Sequence, residues 1–261
     1  MRSLFFSDRS QSSRHSPVAR LLNGGLVFLL VAFIFYFAFS QLDTHWNWAT
    51  VYKYRQKFIA GWWMTIGISA TALVLSTCIG LVFAMGQRSR FLPLRYLSRF
   101  YVEIIRGTPL LVQILVFWYV ICGAVHFENR FAAGVLALSI FSGAYITEIF
   151  RAGIESIGKS QIESARAIGL TRMQTYRYVI LPQALRQTLP PLAGQFVSLI
   201  KDSSLLSVIA ISEFTLNAQE TASNTYSNFE CYIPLAVGYL ILTFPISLLT
   251  RWLEARMKYE T

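Results

Sequence analysis

The stretch Gly153-Ile154-Glu155-Ser156-Ile157-Gly158-Lys159-Ser160 carries the spacing of a phosphate-binding loop. Such a loop works only when a β-strand ends at the first Gly, a helix opens after the Lys, and an α/β domain supplies a metal-binding acid. An apolar run of membrane-span length precedes Gly153, and the chain leaves no room for such a domain, so the motif predicts no nucleotide site. The second candidate is Lys201-Asp202, an ionisable pair inside an apolar window, where a charge costs at least about 2.5 kcal/mol by insertion scales. Such a pair marks a substrate or ion path. Alternatively the window breaks at Pro190, Pro191 or Gly194 and leaves the pair at an interface; the two readings are compatible, because a broken helix exposes polar backbone to a cavity. Cys78, Cys122 and Cys231 lie far apart in apolar segments, as packing residues do, and His15, His45 and His126 are scattered, so no metal cluster is signalled. No nucleophile–base arrangement marks an enzyme. Glu103/Arg106 and Glu148/Arg151 have the i,i+3 spacing of simple interfacial ion pairs.

The elements holding these residues follow from composition. With 54% hydrophobic and 14% charged residues and a mean hydropathy of +0.47, the chain belongs in a bilayer. The net charge of +10 does not point to nucleic acid, because the basic residues cluster between apolar runs. Windows of about 20 apolar residues predict about six spans: 24–42, 61–86, 105–125, 131–150, 189–211 and 231–250. The first could be a secretory signal ending near Ala38-Phe39-Ser40, but its apolar run is long for a signal core and favours an uncleaved anchor. With the N-terminus inside, every Lys and Arg except Lys53, Arg55, Lys57, Arg130 and Lys201 falls on the cytoplasmic side, so both termini are expected there. Trp46, Trp48, Trp62 and Trp63 fit an outer aromatic belt.

Between the fourth and fifth spans the sequence is heavily punctuated. Ser160-Gln161-Ile162-Glu163 fits a capping box and predicts a helix over 161–168, with Ile162, Ala165 and Ile168 on one face and Gly169 as its left-handed stop. Thr171-Arg172-Met173-Gln174 fits a second capping box, opening a helix that Pro182 interrupts. A two-turn helix is unstable alone and needs a surface to pack against, either an ordinary interfacial one or a partner protein.

Glu163-Ser164-Ala165, then Gly169, then Val179-Ile180-Leu181-Pro182, resembles the Glu-Ala-Ala loop of ABC importer permeases, with Ser164 and Val179 as small departures. Arg106-Gly107-Thr108-Pro109-Leu110-Leu111-Val112-Gln113, Ser142-Gly143-Ala144-Tyr145 with Glu148, Arg151-Ala152-Gly153-Ile154 and Lys201-Asp202-Ser203-Ser204-Leu205 are similar to the polar amino-acid permeases. The resemblance implies an all-α polytopic fold of the type I importer kind, a five-span core over 61–250 preceded by a basic N-terminus (1–23) and an extra span (24–42), and followed by a cytoplasmic tail (251–261). It implies that the short helix in the coupling loop 151–182 docks on an ATPase dimer, which binds ATP and Mg. In that reading Ser160, Glu163, Ala165, Arg166 and Gly169 serve coupling, and Lys201, Asp202, Ser203, Ser204 and Leu205 line the substrate path. A second permease subunit, identical or a sibling, an extracytoplasmic amino-acid-binding protein and a bacterial plasma (inner) membrane are implied likewise. The alternative is a receptor or scaffold that recruits a cytoplasmic partner without transport.

Overall fold

A computed structural model describes residues 17–41 and 46–257. Arg2, Arg9, Arg14, His15, His45 and Lys258 lie outside the described residues. The chain divides into two units, 1–46 and 47–261.

In the first unit, α1 (Pro17–Ser40) is one helix. Phe33 stacks on Phe37 and Phe35 on Phe39 at i,i+4, and the large apolar side chains from Leu21 to Phe37 are exposed, as suits a helix solvated by lipid.

Among its described residues the regular structure of the second unit is all helical. A short α2 (Ala49–Lys53) leads into α3 (Arg55–Gln87), then α4 (Leu92–Gly107), α5 (Leu110–Leu115) with a π-helical continuation Val116–Cys122, and α6 (Arg130–Glu155). After α7 (Lys159–Ala167) come α8 (Arg172–Thr175), a π segment Tyr176–Ile180, α9 (Leu181–Asp202), a 3-10 turn Ser203–Ile209, α10 (Phe214–Thr225) and α11 (Asn228–Met257). Among the described residues, 4 helices are long and apolar enough to cross a membrane, or up to 5 if the bent pair α4–α5 is one span. The six expected spans are therefore not all recovered as such. α1 contains a shorter apolar stretch, Leu21–Phe37.

Three sequence expectations change, each for a local reason. The third window does not run straight from 105 to 125: the chain turns by 110° between α4 and α5. Pro109 cannot continue a hydrogen-bond ladder and forces Thr108 into extended backbone (φ −124°, ψ 148°). Pro182 does not stop its helix either: it follows directly on the π segment Tyr176–Ile180, and the helical run continues through it into α9. Pro190 and Pro191 likewise lie inside α9, and regular helix ends only at Asp202. Finally, Cys122 and Cys231 are buried but Cys78 is exposed, on the side of α3 turned from the core.

Two apolar clusters hold the second unit together. In one, Ile68 and Ala72 of α3 meet Ile114 of α5, Leu138 of α6, Leu199 of α9 and Leu206 of the 3-10 turn. In the other, Phe58 of α3 packs on Phe214, Ala218 and Ala222 of α10 and on Cys231. The close α3–α6 crossing requires Gly80, where a Cβ would stand 2.5 Å from Ile146 Cγ2.

Candidate functional site

The predicted two-turn helix exists as α7, but its N-cap lies two residues earlier than expected. Gly158 occupies the N-cap with extended ψ (138°), no side chain caps the helix, and Ser160 lies within its first turn. The Ser160–Glu163 capping box is therefore absent, and both side chains are exposed. The stop is as expected. Gly169 has φ +85°, its N–H donates to Arg166 O at 2.9 Å, and Leu170 N–H donates to Ala165 O at 3.1 Å, the pair of bonds of a Schellman ending. Ile168 falls at the C-cap and is 78% exposed, so it does not join the buried face, which consists of Ala165 with partly buried Ile162. Glu163, Ser164 and Arg166 are left on the outer face.

The second capping box is complete. Gln174 N–H donates to Thr171 Oγ1 at 3.3 Å, and Thr171 N–H donates to Gln174 Oε1 at 2.9 Å. It starts a helical run, α8, π segment, α9 and 3-10 turn, with no coil between Arg172 and Ile209. α9 packs on α6 so closely that a Cβ on Gly153 would lie 2.3 Å from Thr188 Cγ2. Gly153 is thus a helix-packing residue, and the phosphate-loop lookalike spans the end of α6, a turn and the start of α7, without the strand that phosphate cradling requires.

Lys201 and Asp202 close α9, about 30 Å along its axis from Leu181 at 1.5 Å per residue. Lys201 is exposed, Asp202, Ser204 and Leu205 are half-buried, and Ser203 is buried. Ser203 Oγ donates to Ile200 O at 2.8 Å and Ser204 Oγ to Lys201 O at 2.7 Å. These bonds tie both hydroxyls to the helix end and leave the Asp202 carboxylate as the strongest acceptor of the segment. The residues of Ser160–Gly169 and the Lys201–Leu205 segment are therefore two places separated by the run from Arg172 to Asp202, not one cluster.

Two further polar sites were not legible beforehand. Arg106 does not pair with Glu103; its guanidinium reaches Glu148 of α6 at 3.4 Å and lies 5.3 Å from the Tyr145 ring. Glu148 is held by Arg151 at 2.7 Å, and Arg151 also meets Glu155 at 2.6 Å. Only the Glu148/Arg151 half of this network follows from helical spacing. The second site is Glu213, fully buried at the N-cap of α10, which accepts from Thr215 N at 2.8 Å, Leu216 N at 2.7 Å and Tyr239 Oη at 3.1 Å. Burial pushes its carboxyl above the ordinary range, and the backbone donors pull against that shift.

The sequence pattern described as "Binding-protein-dependent transport system inner membrane component" matches residues 76–259. The chain is 39% identical over 201 residues to the probable glutamine ABC transporter permease protein GlnM of Bacillus subtilis, covering 77% of this chain and 93% of that protein. It is 37% identical over 214 residues to the glutamine transport system permease protein GlnP of Escherichia coli K12, covering 81% and 98%. A solved amino acid ABC transporter with histidines superposes with a TM-score of 0.76 at 37% identity, over 82% of this chain and 100% of that one.

Proposed function

Because the chain belongs to the binding-protein-dependent transport system inner membrane components, and is thus a membrane permease subunit of an ABC importer, we propose that it moves polar amino acids inward, driven by a separate ATPase. The observation that carries the coupling half of this reading is α7: a nine-residue helix with an exposed outer face, fastened by its Schellman turn and the second capping box to a continuous helical run that carries Lys201 and Asp202. In this reading an ATPase dimer receives Glu163 and Gly169 in a groove, with Arg166 at the rim and exposed Ser160 beside them, while buried Ala165 seats α7 on its own chain. Its closure pushes α7, and the unbroken run into α9 carries that displacement to the membrane interior, because a helix transmits axial load better than a coil.

At the far end, the Lys201–Leu205 segment lines the path. Asp202 offers a carboxylate to a substrate α-ammonium, and Lys201 offers a counter-charge to a carboxylate, which suits a zwitterion better than a neutral solute. ATP and Mg belong to the ATPase, and this chain hydrolyses nothing. A second permease subunit, identical or a sibling, and an extracytoplasmic amino-acid-binding protein complete the assembly. In this reading the basic N-terminus (1–23) and the tail (251–261) face the cytoplasm, and an extra span (24–42) and the core (61–250) cross the bacterial inner membrane. The relatives named for glutamine and, in TcyB of Bacillus subtilis (39% identical over 198 residues, 76% of this chain and 85% of that protein), for L-cystine set the substrate range to try first. Competition by unlabelled amino acids against labelled glutamine in ATP-loaded proteoliposomes tests it; competition confined to polar amino acids supports the reading, and uptake insensitive to all of them contradicts it.

A further inference from the structure

Where α3 ends, α4 begins and α6 finishes, a cavity of about 580 Å³ opens, and five arginines and three glutamates line it. Their pairing is uneven. Glu148 and Glu155 are taken up by Arg106 and Arg151. Among the described residues, Arg88, Arg95 and Arg99 have no carboxylate within ion-pair distance, although Glu103 lines the same cavity, and Arg95 is oriented by donating Nε–H to Gln87 O at 3.1 Å. The cavity therefore carries net positive charge with three guanidinium groups converging from two helices.

α4 makes the arrangement more specific. Arg95, Arg99 and Val102 share the cavity face, while Tyr96, Leu97 and Phe100 are exposed on the other. Positive-inside bias accounts for arginines near a span end, but not for their convergence around a cavity large enough for a phosphate and its ester group. Planar guanidinium groups bind phosphate oxygens in pairs, and apolar ground beside them suits acyl chains.

We propose that Arg88, Arg95 and Arg99 form a binding site for a phosphate-bearing anion, distinct from the substrate path at Lys201–Leu205. The anion is either the headgroup of an anionic phospholipid or a water-soluble phosphate. The proposal does not depend on which solute the chain transports.

The test uses the assembled transporter. Native mass spectrometry after exchange into phosphatidylglycerol/phosphatidylcholine mixtures gives the preference for the anionic lipid, repeated with millimolar inorganic phosphate and with the double variant Arg95→Gln/Arg99→Gln. A headgroup site retains phosphatidylglycerol selectively despite phosphate, and the double variant loses about tenfold or more of that preference. A soluble-phosphate site shows direct phosphate binding, or displacement of the lipid, that the double variant also loses. Equal retention of both lipids with no phosphate binding, or unchanged selectivity in the double variant, overturns the proposal. Arg99→Lys, which keeps the charge and removes the fork, gives an intermediate loss and serves if the double variant does not assemble; retention equal to wild type then counts against the site. Arg130→Gln, outside the cavity, controls for net charge.

Discussion

A carboxylate half-buried at the end of a membrane helix is costly to keep unless it meets a cation during the transport cycle. Asp202 is in that position, while the adjacent serines have spent their hydroxyl protons on backbone carbonyls. Asp202→Ala is expected to lower uptake about tenfold to hundredfold, the worth of one charge-assisted hydrogen bond, with the complex still assembled. Uptake at the wild-type rate in proteoliposomes would remove Asp202 from the path. At this scale the sequence was legible where one residue acts through its own backbone. Gly169 reads as a left-handed stop because few other residues adopt φ +85° without strain. It misled where two readings shared the same letters: Gly158 takes the N-cap that Ser160 was expected to hold, since the chain already bends at the end of α6. Arg106 was paired with the wrong glutamate because its partner lies on another helix, 42 positions along, which no periodicity reveals.

The elements were legible by length and hydropathy, and their breaks were not. Uncharged windows found the helices at α3, α6, α9 and α11, but the 110° turn at Thr108–Pro109 separates an amphipathic helix from an apolar one within a stretch that hydropathy blurs together. The prolines of α9 and α11 stay inside helices, so a proline in an apolar window did not locate the break. Two substitutions test how the elements are held. Gly80→Leu drives a side chain into Ile146 where even a Cβ stands at 2.5 Å, and should destabilise the purified chain by about 1–3 kcal/mol or more. A thermal midpoint unchanged in detergent would mean that α3 and α6 do not cross so closely. Glu213→Ala strips the α10 N-cap of an acceptor for two backbone N–H groups, at a cost of about 1–2 kcal/mol; Glu213→Gln, which keeps one carbonyl oxygen, should lose less. Equal midpoints for the two variants would show that the cap does not depend on that oxygen. Glu213 escaped the sequence because Glu is not a favoured N-cap residue and its third donor, Tyr239, comes from α11.

For the whole molecule, the proposed reading separates two tasks along the chain. α7 presents charged residues outward, and Lys201 and Asp202 close α9, about 30 Å of helix beyond Leu181. With the orientation expected from the Lys and Arg distribution, the first place faces the cytoplasm, and an isolated chain should bind an ATPase but turn over no ATP; turnover by the purified subunit alone would restore the phosphate-loop reading of Gly153–Ser160. What most directly tests the coupling claim is the amount of labelled glutamine taken up per ATP hydrolysed in proteoliposomes holding the chain, its ATPase and its binding protein, compared with Ala165→Glu. Ala165 is 4% exposed against the following helical run, so a carboxylate there should unseat α7. Uptake per ATP is expected to fall about tenfold or more while the ATPase remains bound, a loss of about 1.4 kcal/mol in coupling. Uptake per ATP equal to wild type with the ATPase still bound would contradict it.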